Sequence, residues 1–366
     1  MAVGIALVGT GFALSVQLPV FRLLPDAEVR TLVGRDPART AGLAAKHHIP
    51  HSTVRLAEAL ADPGLDLVCI STPPDSHAAL ACEALAAGKH VLCEKPMALD
   101  VSEARAMELA AARTPARLAL IDHQLRFAPA VLKMRRLLRE GYLGTPFDAH
   151  IEVATPRWLD HARRYTWWQE RARGGGALGA FGSHAVDLLR WLFGEVDAVQ
   201  ALLHTFVTDR AAAGELQARP VDADDWAAVW LRFAGPRPVL GTIRLSAVAH
   251  RGQGFAMAVQ GSEGTLRLDS EGRLWGSRRD TAAAEAPLEE LDDPEALPEE
   301  HRRALPDSPW ARAFVTAAQA LVAAVPAGNC PSEAATFADG RAVQQVLDAA
   351  RASAAANSGW MAPGAF

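Results

Sequence analysis

At 366 residues the chain is too long for one ordinary hydrophobic core and is expected to form two domains. Half of its residues are hydrophobic, 22% are charged and the formal net charge is −5, which fits a globular protein and excludes a nucleic-acid surface, since phosphate binding needs a concentrated basic patch. No stretch supplies about 20 apolar residues without a charge, and the first apolar run, Val3–Val8, is too short for an export signal, so a cytoplasmic protein with no membrane partner is expected.

From Val3 to Asp122 short apolar runs alternate with longer helical patterns. Strands are expected at Val3–Val8, Val29–Gly34, Leu65–Ser71, His90–Glu94 and Arg117–Ile121, with helices at Pro37–His47, Leu56–Ala61, Ser76–Ala87 and Ser102–Ala112. Nearly continuous apolar strands belong in a parallel sheet covered on both faces, so this part reads as a doubly wound α/β Rossmann domain. Asp100 followed by Glu103 gives one helix a cap and an acidic first turn.

Past Asp122 the rhythm changes. A helix over Ala130–Arg139 precedes a strand at Phe147–Val153, a Trp- and Arg-rich connection and a helix over Gly182–Phe193. Strands then follow at Val199–Val207, Trp226–Phe233, Val239–Leu245, Ala256–Gln260 and Thr265–Leu268, which predicts an α+β domain with a mainly antiparallel sheet. Residues Arg278 to Pro309 read as an extended loop, and two helices close the chain, Trp310–Val325 and Phe337–Ser353. Thr336 and Asp339 make a capping-box-like start for the second.

Gly9–Thr10–Gly11 follows an apolar strand and opens a helix, the setting a dinucleotide fingerprint needs. The first glycine permits the tight turn, the second lets backbone approach a pyrophosphate, and the helix N-terminus offers unpaired N–H groups to it. The third small residue of the pattern would fall at Leu14, with Ala13 beside it. At the end of the second strand stands Gly34–Arg35, where an acidic residue would accept the ribose 2′-hydroxyl. An arginine there can grip a 2′-phosphate, so NADP(H) is expected in preference to NAD(H), although a small shift would bring the Asp36 carboxylate to the ribose instead.

Three further segments resemble a known family: Ser71–Thr72–Pro73–Pro74–Asp75–Ser76–His77; Gly88–Lys89–His90–Val91–Leu92–Cys93–Glu94–Lys95–Pro96; and Gly174–Gly175–Gly176–Ala177–Leu178 running on to Gly182–Ser183–His184 and Asp187. With the glycine turn, Arg126–Phe127, Gly141–Tyr142–Leu143–Gly144, Gly261–Ser262–Glu263–Gly264–Thr265 and Asp339–Gly340, they are similar to the glucose–fructose oxidoreductase/inositol dehydrogenase (Gfo/Idh/MocA) family over most of the chain. The resemblance implies an NAD(P)-dependent oxidoreductase with a Rossmann domain over residues 1–124 and a C-terminal α/β domain over residues 125–366. The open sheet of the latter would line the substrate site and make homodimer or homotetramer contacts. Members typically oxidise a secondary hydroxyl of a sugar or polyol, or run the reduction, so a small-molecule substrate is implied.

By the same resemblance Lys95 contacts the reacting hydroxyl and His184 handles its proton, while Thr72, Pro73 and Glu94 line the nicotinamide-ribose pocket. Phe12 beside the glycine turn, Ser71, His77 and Arg126 complete the implied cofactor set together with Gly9, Thr10, Gly11, Arg35 and Lys95. The chemistry agrees: hydride leaves a carbinol carbon only as the hydroxyl proton is removed, and histidine, with an ordinary pKa of about 6.5, suits that task. One position departs from the pattern. Many members carry an aspartate four residues before the histidine, and here that residue is Ala180. The fold also serves non-catalytic dinucleotide sensors and reductases of non-sugar substrates, and Ala180 keeps the sensor reading open.

The segment Pro156 to Arg173, which also holds His161 and Tyr165, reads as the specificity element, with Trp158, Trp167 and Trp168 able to stack on a sugar ring and Arg157, Asp160, Arg163 and Arg164 able to bond hydroxyls; the alternative is that the tryptophans pack at an interface. A lid hinged at Gly174–Gly176 is a further expectation. His47, His48 and His51 lack the spacing of a metal site, and Cys69, Cys82, Cys93 and Cys330 form no zinc or disulfide pattern, so no metal is expected and the thiols fit a reducing compartment.

Overall fold

The computed structural model describes residues 2–160, 162–214, 217–236, 238–279, 286–291 and 309–366. His161 and most of the loop expected between Arg278 and Pro309 lie outside the described residues. The chain divides into two compact units, the first running to Ala128 and taking in the helix Pro309–Ala324 and the chain on to Arg341. The second runs from Pro129 and includes the C-terminal residues from Ala342. A single cut after residue 124 does not include that return of the chain.

In the first unit six parallel strands, β1 (Val3–Val8), β2 (Ala27–Val33), β3 (His51–Thr53), β4 (Leu67–Ile70), β5 (His90–Cys93) and β6 (Ala119–Ile121), stand in the order β6-β5-β4-β1-β2-β3. Ala335–Thr336 adds an antiparallel edge to β6. Every residue of β1, β4, β5 and β6 is buried, as both-face coverage requires. Alternate side chains feed two apolar layers: Ile5, Leu7, Leu67 and Leu92 lie in one, Ala6, Val8, Val68 and Val91 in the other.

The helix Pro309–Ala324 completes the first layer, because Phe314 is fully buried and meets Phe21 edge to face at 5.7 Å. Burying such a side chain contributes roughly 1.5–3 kcal/mol, which accounts for the chain's return to this unit. The expected caps are present: Asp100 accepts from the amide of Glu103 at 2.9 Å, and Asp339 accepts from the Thr336 amide at 2.9 Å.

The second unit holds an eight-stranded sheet built from β7 (Pro146–Ala154), β8 (Val196–His204), β11 (Trp226–Phe233), β12 (Leu240–Ser246), β13 (Gly254–Gly261), β14 (Gly264–Leu268), β15 (Leu274–Arg278) and β16 (Glu289–Glu290). Between β8 and β11 a separate small hairpin pairs β9 (Asp209–Ala211) with β10 (Ala218–Pro220). The order is β16-β15-β14-β13-β7-β12-β11-β8, antiparallel throughout except for the parallel pair β7–β12. One face is buried through Ile151, Val229, Ile243 and Met257, and the helix Ser183–Phe193 is anchored on it where Gly182 lies against Leu245. The opposite face presents Leu202, Trp230 and Leu240 exposed. No helix among the described residues is long and apolar enough to cross a membrane.

Candidate active site

The parallel ladder of the first unit runs one rung past its strands. Gly9 donates its amide to Val33 at 2.8 Å, Ser71 to Val8 at 2.8 Å, Glu94 to Ile70 at 2.8 Å and Asp122 to Cys93 at 2.8 Å. Gly9, Ser71, Glu94 and Asp122 therefore stand in one row along the C-terminal edge of the sheet, where ligands of open α/β sheets bind.

At one end of the row is the glycine turn. Gly9 has φ +118°, and a Cβ there would lie 2.7 Å from the Ser71 carbonyl oxygen, so only glycine fits. A Cβ on Gly11 would meet nothing within 4 Å, so the turn is open on that side to a bulky anion. The helix opens with a π-turn, Ala13–Gln17, and the amides of Leu14 and Ser15 both bond the Gly11 carbonyl at 3.1 Å. A helix leaves its first amides without intrahelical acceptors, and no side chain caps this one, the arrangement a pyrophosphate uses. Leu14, the departure from the fingerprint, is buried in the apolar layer. Thr10 and Phe12 are half-buried, and the Phe12 ring sits 6.2 Å from Phe314.

Past β2 the backbone passes close to the next helix: a Cβ on Gly34 would lie 2.2 Å from the Thr40 hydroxyl oxygen. Arg35 is exposed. The Asp36 carboxylate accepts the Arg39 amide at 2.7 Å as the N-cap of the helix Pro37–Lys46. The capping bond holds it at the helix end, and the ribose alternative would break it.

Beyond β4, Thr72 and Pro73 are half-buried, with Ser76 donating to the Thr72 hydroxyl at 2.7 Å. His77, expected in the cofactor set, is instead fully buried with its ring nitrogens on two backbone carbonyls, Thr72 at 2.9 Å and Pro96 at 3.1 Å. It braces the loops that follow β4 and β5, and burial lowers its pKa. Arg126 is likewise drawn inward: 2% exposed, it pairs with Asp339 at 3.3 Å and ties Ala334 into the same unit.

Lys95, at the end of β5, is half-buried, and its amide donates to the Glu94 carboxylate at 3.3 Å. Glu94 and Asp122 are both buried and each follows directly on the paired residues Cys93 and Ile121 of neighbouring strands. Gln17, fully buried on the π-turn, accepts from the Ser71 hydroxyl at 2.8 Å and turns its amide toward Asp122. Sequence reasoning missed Gln17 and Asp122 as members of this floor. The available signal was a carboxylate and an amide placed one residue or one turn from strand and glycine motifs.

In the second unit His184 is buried on the helix Ser183–Phe193, which continues a π-turn at Leu178–Gly182. That helical run is held from outside. The Asp224 carboxylate accepts the Leu178 amide at 2.8 Å and the Asp224 carbonyl accepts the Ala177 amide at 2.7 Å. Asp224 is thus the cap of the segment that carries Ala180 and His184, supplied from 46 residues away. A Cβ on Gly176, with φ +109°, would lie 2.3 Å from the Asp224 carboxylate, and one on Gly175 would lie 2.5 Å from the Trp168 carbonyl. Close backbone packing accounts for these two glycines, where a hinge had been expected.

Trp158 is buried, 6.3 Å from both Trp168 and Phe181, so its ring supports the start of the His184 helix and offers little surface to a sugar. Trp167 and Trp168 stack at 3.9 Å and are half-buried. Arg210 pins the segment, donating to the carbonyls of Trp158 and, at 2.8 Å, Asp160. Among the described residues no group of three or more His, Cys, Asp or Glu side chains is gathered to hold a metal ion.

Residues 3–121 match the oxidoreductase family with an NAD-binding Rossmann fold, and residues 131–267 match the GFO/IDH/MocA C-terminal domain. An uncharacterized oxidoreductase of Synechocystis sp. is 33% identical over 268 residues, covering 73% of this chain and 71% of that protein. The levoglucosan dehydrogenase of Pseudarthrobacter phenanthrenivorans is 28% identical over 291 residues, 74% of each chain. A solved levoglucosan dehydrogenase in complex with NADH and L-sorbose superposes with a TM-score of 0.87 over 99% of both chains at 24% identity, a likeness of fold. The chain belongs to the Gfo/Idh/MocA family and is an NAD(P)-dependent oxidoreductase of the dehydrogenase/reductase type.

Burial pushes the Asp224 carboxyl up from its ordinary 3.8 to about 6, the Leu178 amide opposing the rise. The folded protein then keeps a proton that the unfolded chain has lost between those values, so stability falls as pH rises through about 4 to 6, by about 3 kcal/mol in all. Asp224→Asn keeps an acceptor for the Leu178 amide and removes the charge. Thermal melts from pH 4 to pH 8 should show the wild type losing ground to this variant across that window. Parallel curves would refute a buried, titrating Asp224.

Proposed function

We propose that the protein transfers hydride between a nicotinamide dinucleotide and a secondary hydroxyl, or the matching carbonyl, of a sugar or polyol. The observation that carries this reading is the position of Lys95 at the end of β5, beside the row that begins at the open Gly9–Gly11 turn. The glycine turn, the uncapped first amides of its helix and the half-buried Thr72–Pro73 loop are the groups that would hold the dinucleotide. When bound, its nicotinamide ring supplies the hydride acceptor or donor. Lys95 donates a hydrogen bond to the substrate oxygen, and His184 takes the hydroxyl proton in oxidation and returns it in reduction. Trp167 and Trp168 present the stacking surface for a sugar ring. The name of the levoglucosan dehydrogenase relative supports a carbohydrate as substrate.

Lys95→Ala should leave dinucleotide affinity, read by fluorescence titration, within about threefold of wild type while turnover on a sugar and polyol panel falls at least about 10²-fold. Retained turnover would sink the role of Lys95.

We further propose a preference for NADP(H), supported by the exposed Arg35 and by the capping bond that occupies Asp36. The levoglucosan dehydrogenase structure was solved with NADH, so the two cofactors must be titrated side by side. Arg35→Ser should weaken NADPH binding about tenfold and leave NADH unchanged. Equal affinity of the wild type for both would overturn the preference.

The open sheet face that carries Leu202, Trp230 and Leu240 is proposed as a contact between copies of this chain. Light scattering should find a dimer or tetramer, reduced to a monomer by Trp230→Glu; a monomeric wild type would end the idea.

A further inference from the structure

Glu94 and Asp122 form a pair whose chemistry the reaction scheme above does not use. β5 and β6 are in register at Cys93↔Ile121, so the next residues, Glu94 and Asp122, are neighbours on parallel strands with side chains on one face. Both are at least nine-tenths buried, at 8% and 2% exposed. Glu94 Oε1 and Asp122 Oδ2 make no hydrogen bond to any donor among the described residues, and the strand register sets the two residues side by side. A carboxylate only accepts, so two ionised groups would leave both oxygens unsatisfied and face to face in an apolar setting. One proton between them turns the repulsion into an O–H···O⁻ bond, among the stronger hydrogen bonds available.

We propose that Asp122 is a positioning residue: as the neutral acid it donates to the Glu94 carboxylate, and the single negative charge so held fixes Lys95 and keeps it cationic. This rests on the reading that Lys95 acts on the substrate.

The charge balance supports one proton and no other number. Two carboxylates beside one lysine leave a net negative charge in a buried site, and a doubly protonated pair offers the lysine no counter-charge. Burial raises both carboxyl groups, and Asp122 rises further because the Glu94 charge adds to burial. The Lys95 amide donates to the Glu94 carboxylate, which favours the charge on Glu94 and leaves the proton to Asp122. The other titratable groups facing the pair are Lys95, which favours the ionised forms, and the thiols of Cys69 and Cys93, which burial pushes up and keeps neutral. On the remaining side the Gln17 amide lies toward Asp122. No oxidant, reductant or further co-reactant is involved; the pair only holds a proton and a charge.

Infrared difference spectroscopy of the intact protein at pH 8, in H₂O against D₂O, tests the pair directly. A protonated-carboxyl C=O band that shifts in D₂O and vanishes in Asp122→Asn is the expected result; its absence in the wild type overturns the proposal. Turnover supplies the second arm. Asp122→Leu removes the donor to Glu94 and should lower turnover about tenfold or more while the dinucleotide dissociation constant stays within about threefold. Asp122→Asn still donates to Glu94 and should restore turnover to within a few-fold, with the wild type's high-pH loss of activity flattened. An Asp122→Leu variant with wild-type turnover would overturn the positioning role, and if it fails to fold, the infrared comparison of wild type and Asp122→Asn still decides. The band is read without substrate, so an inactive protein that shows it refutes the role of Lys95 and leaves the shared proton standing.

Discussion

Continuation of the parallel ladder one residue past the regular strands is the constraint on which the candidate site depends. Four successive backbone bonds, from Gly9, Ser71, Glu94 and Asp122 to the last residues of neighbouring strands, decide which side chain sits at each place on the sheet edge. Side chains alternate with a period of two, so a slip of one residue in β5 would put Cys93 or Lys95 where Glu94 stands and turn the carboxylate into the apolar layer. The apolar layers guard against that slip. Val91 and Cys93 feed one layer and Leu92 the other, and exchanging them would expose the wrong volumes to both.

A site floor built this way carries a cost that the structure offsets locally. Ser71 is taken up by Gln17, Glu94 by the Lys95 amide, and the pair of carboxyl groups by a proton. Each group alone would be expensive to bury; joined in a row, each satisfies part of the next. Gln17 reaches its place because the helix opens with a π-turn, which puts an extra residue into the first turn. The helix of His184 opens the same way, and there the turn directs Phe181 toward Trp158. Rare turns of this kind recur at sites where a helix must present one particular side chain.

Much of this was legible in the sequence because it is local. β1 and β11 are bounded at the residues where period and apolar run predict them, and the caps at Asp100 and Thr336 follow from residue type and spacing alone. β3 escaped notice because its three polar residues, His51–Thr53, carry no apolar period, and Ala335–Thr336 is too short to show one. His77 and Arg126 stand in motifs tied to the cofactor, and the contacts that brace two loops and join Asp339 show only in the fold. The missing members of the site share one property: their partners are distant in sequence. Asp122 meets Glu94 through strand register, and Asp224 meets Leu178 across 46 residues, and no window of sequence holds both halves of either contact.

Ala180 takes on a different meaning once Asp224 is placed. A carboxylate one turn before His184 would sit inside the helix it serves, adding a buried charge to a run where Leu178, Gly179, Ala180 and Gly182 are already buried. Here the carboxylate comes from the residues leading into β11 and accepts the Leu178 amide at the start of the helix, where the positive end of the dipole favours it. Its tie is to backbone, so it fixes where the helix begins and, through that, the depth at which His184 lies. Gly176 must be glycine for the contact to close, which links the glycine run to the histidine by geometry. The acidic residue absent from the motif is thereby matched by one that secures the start of the helix.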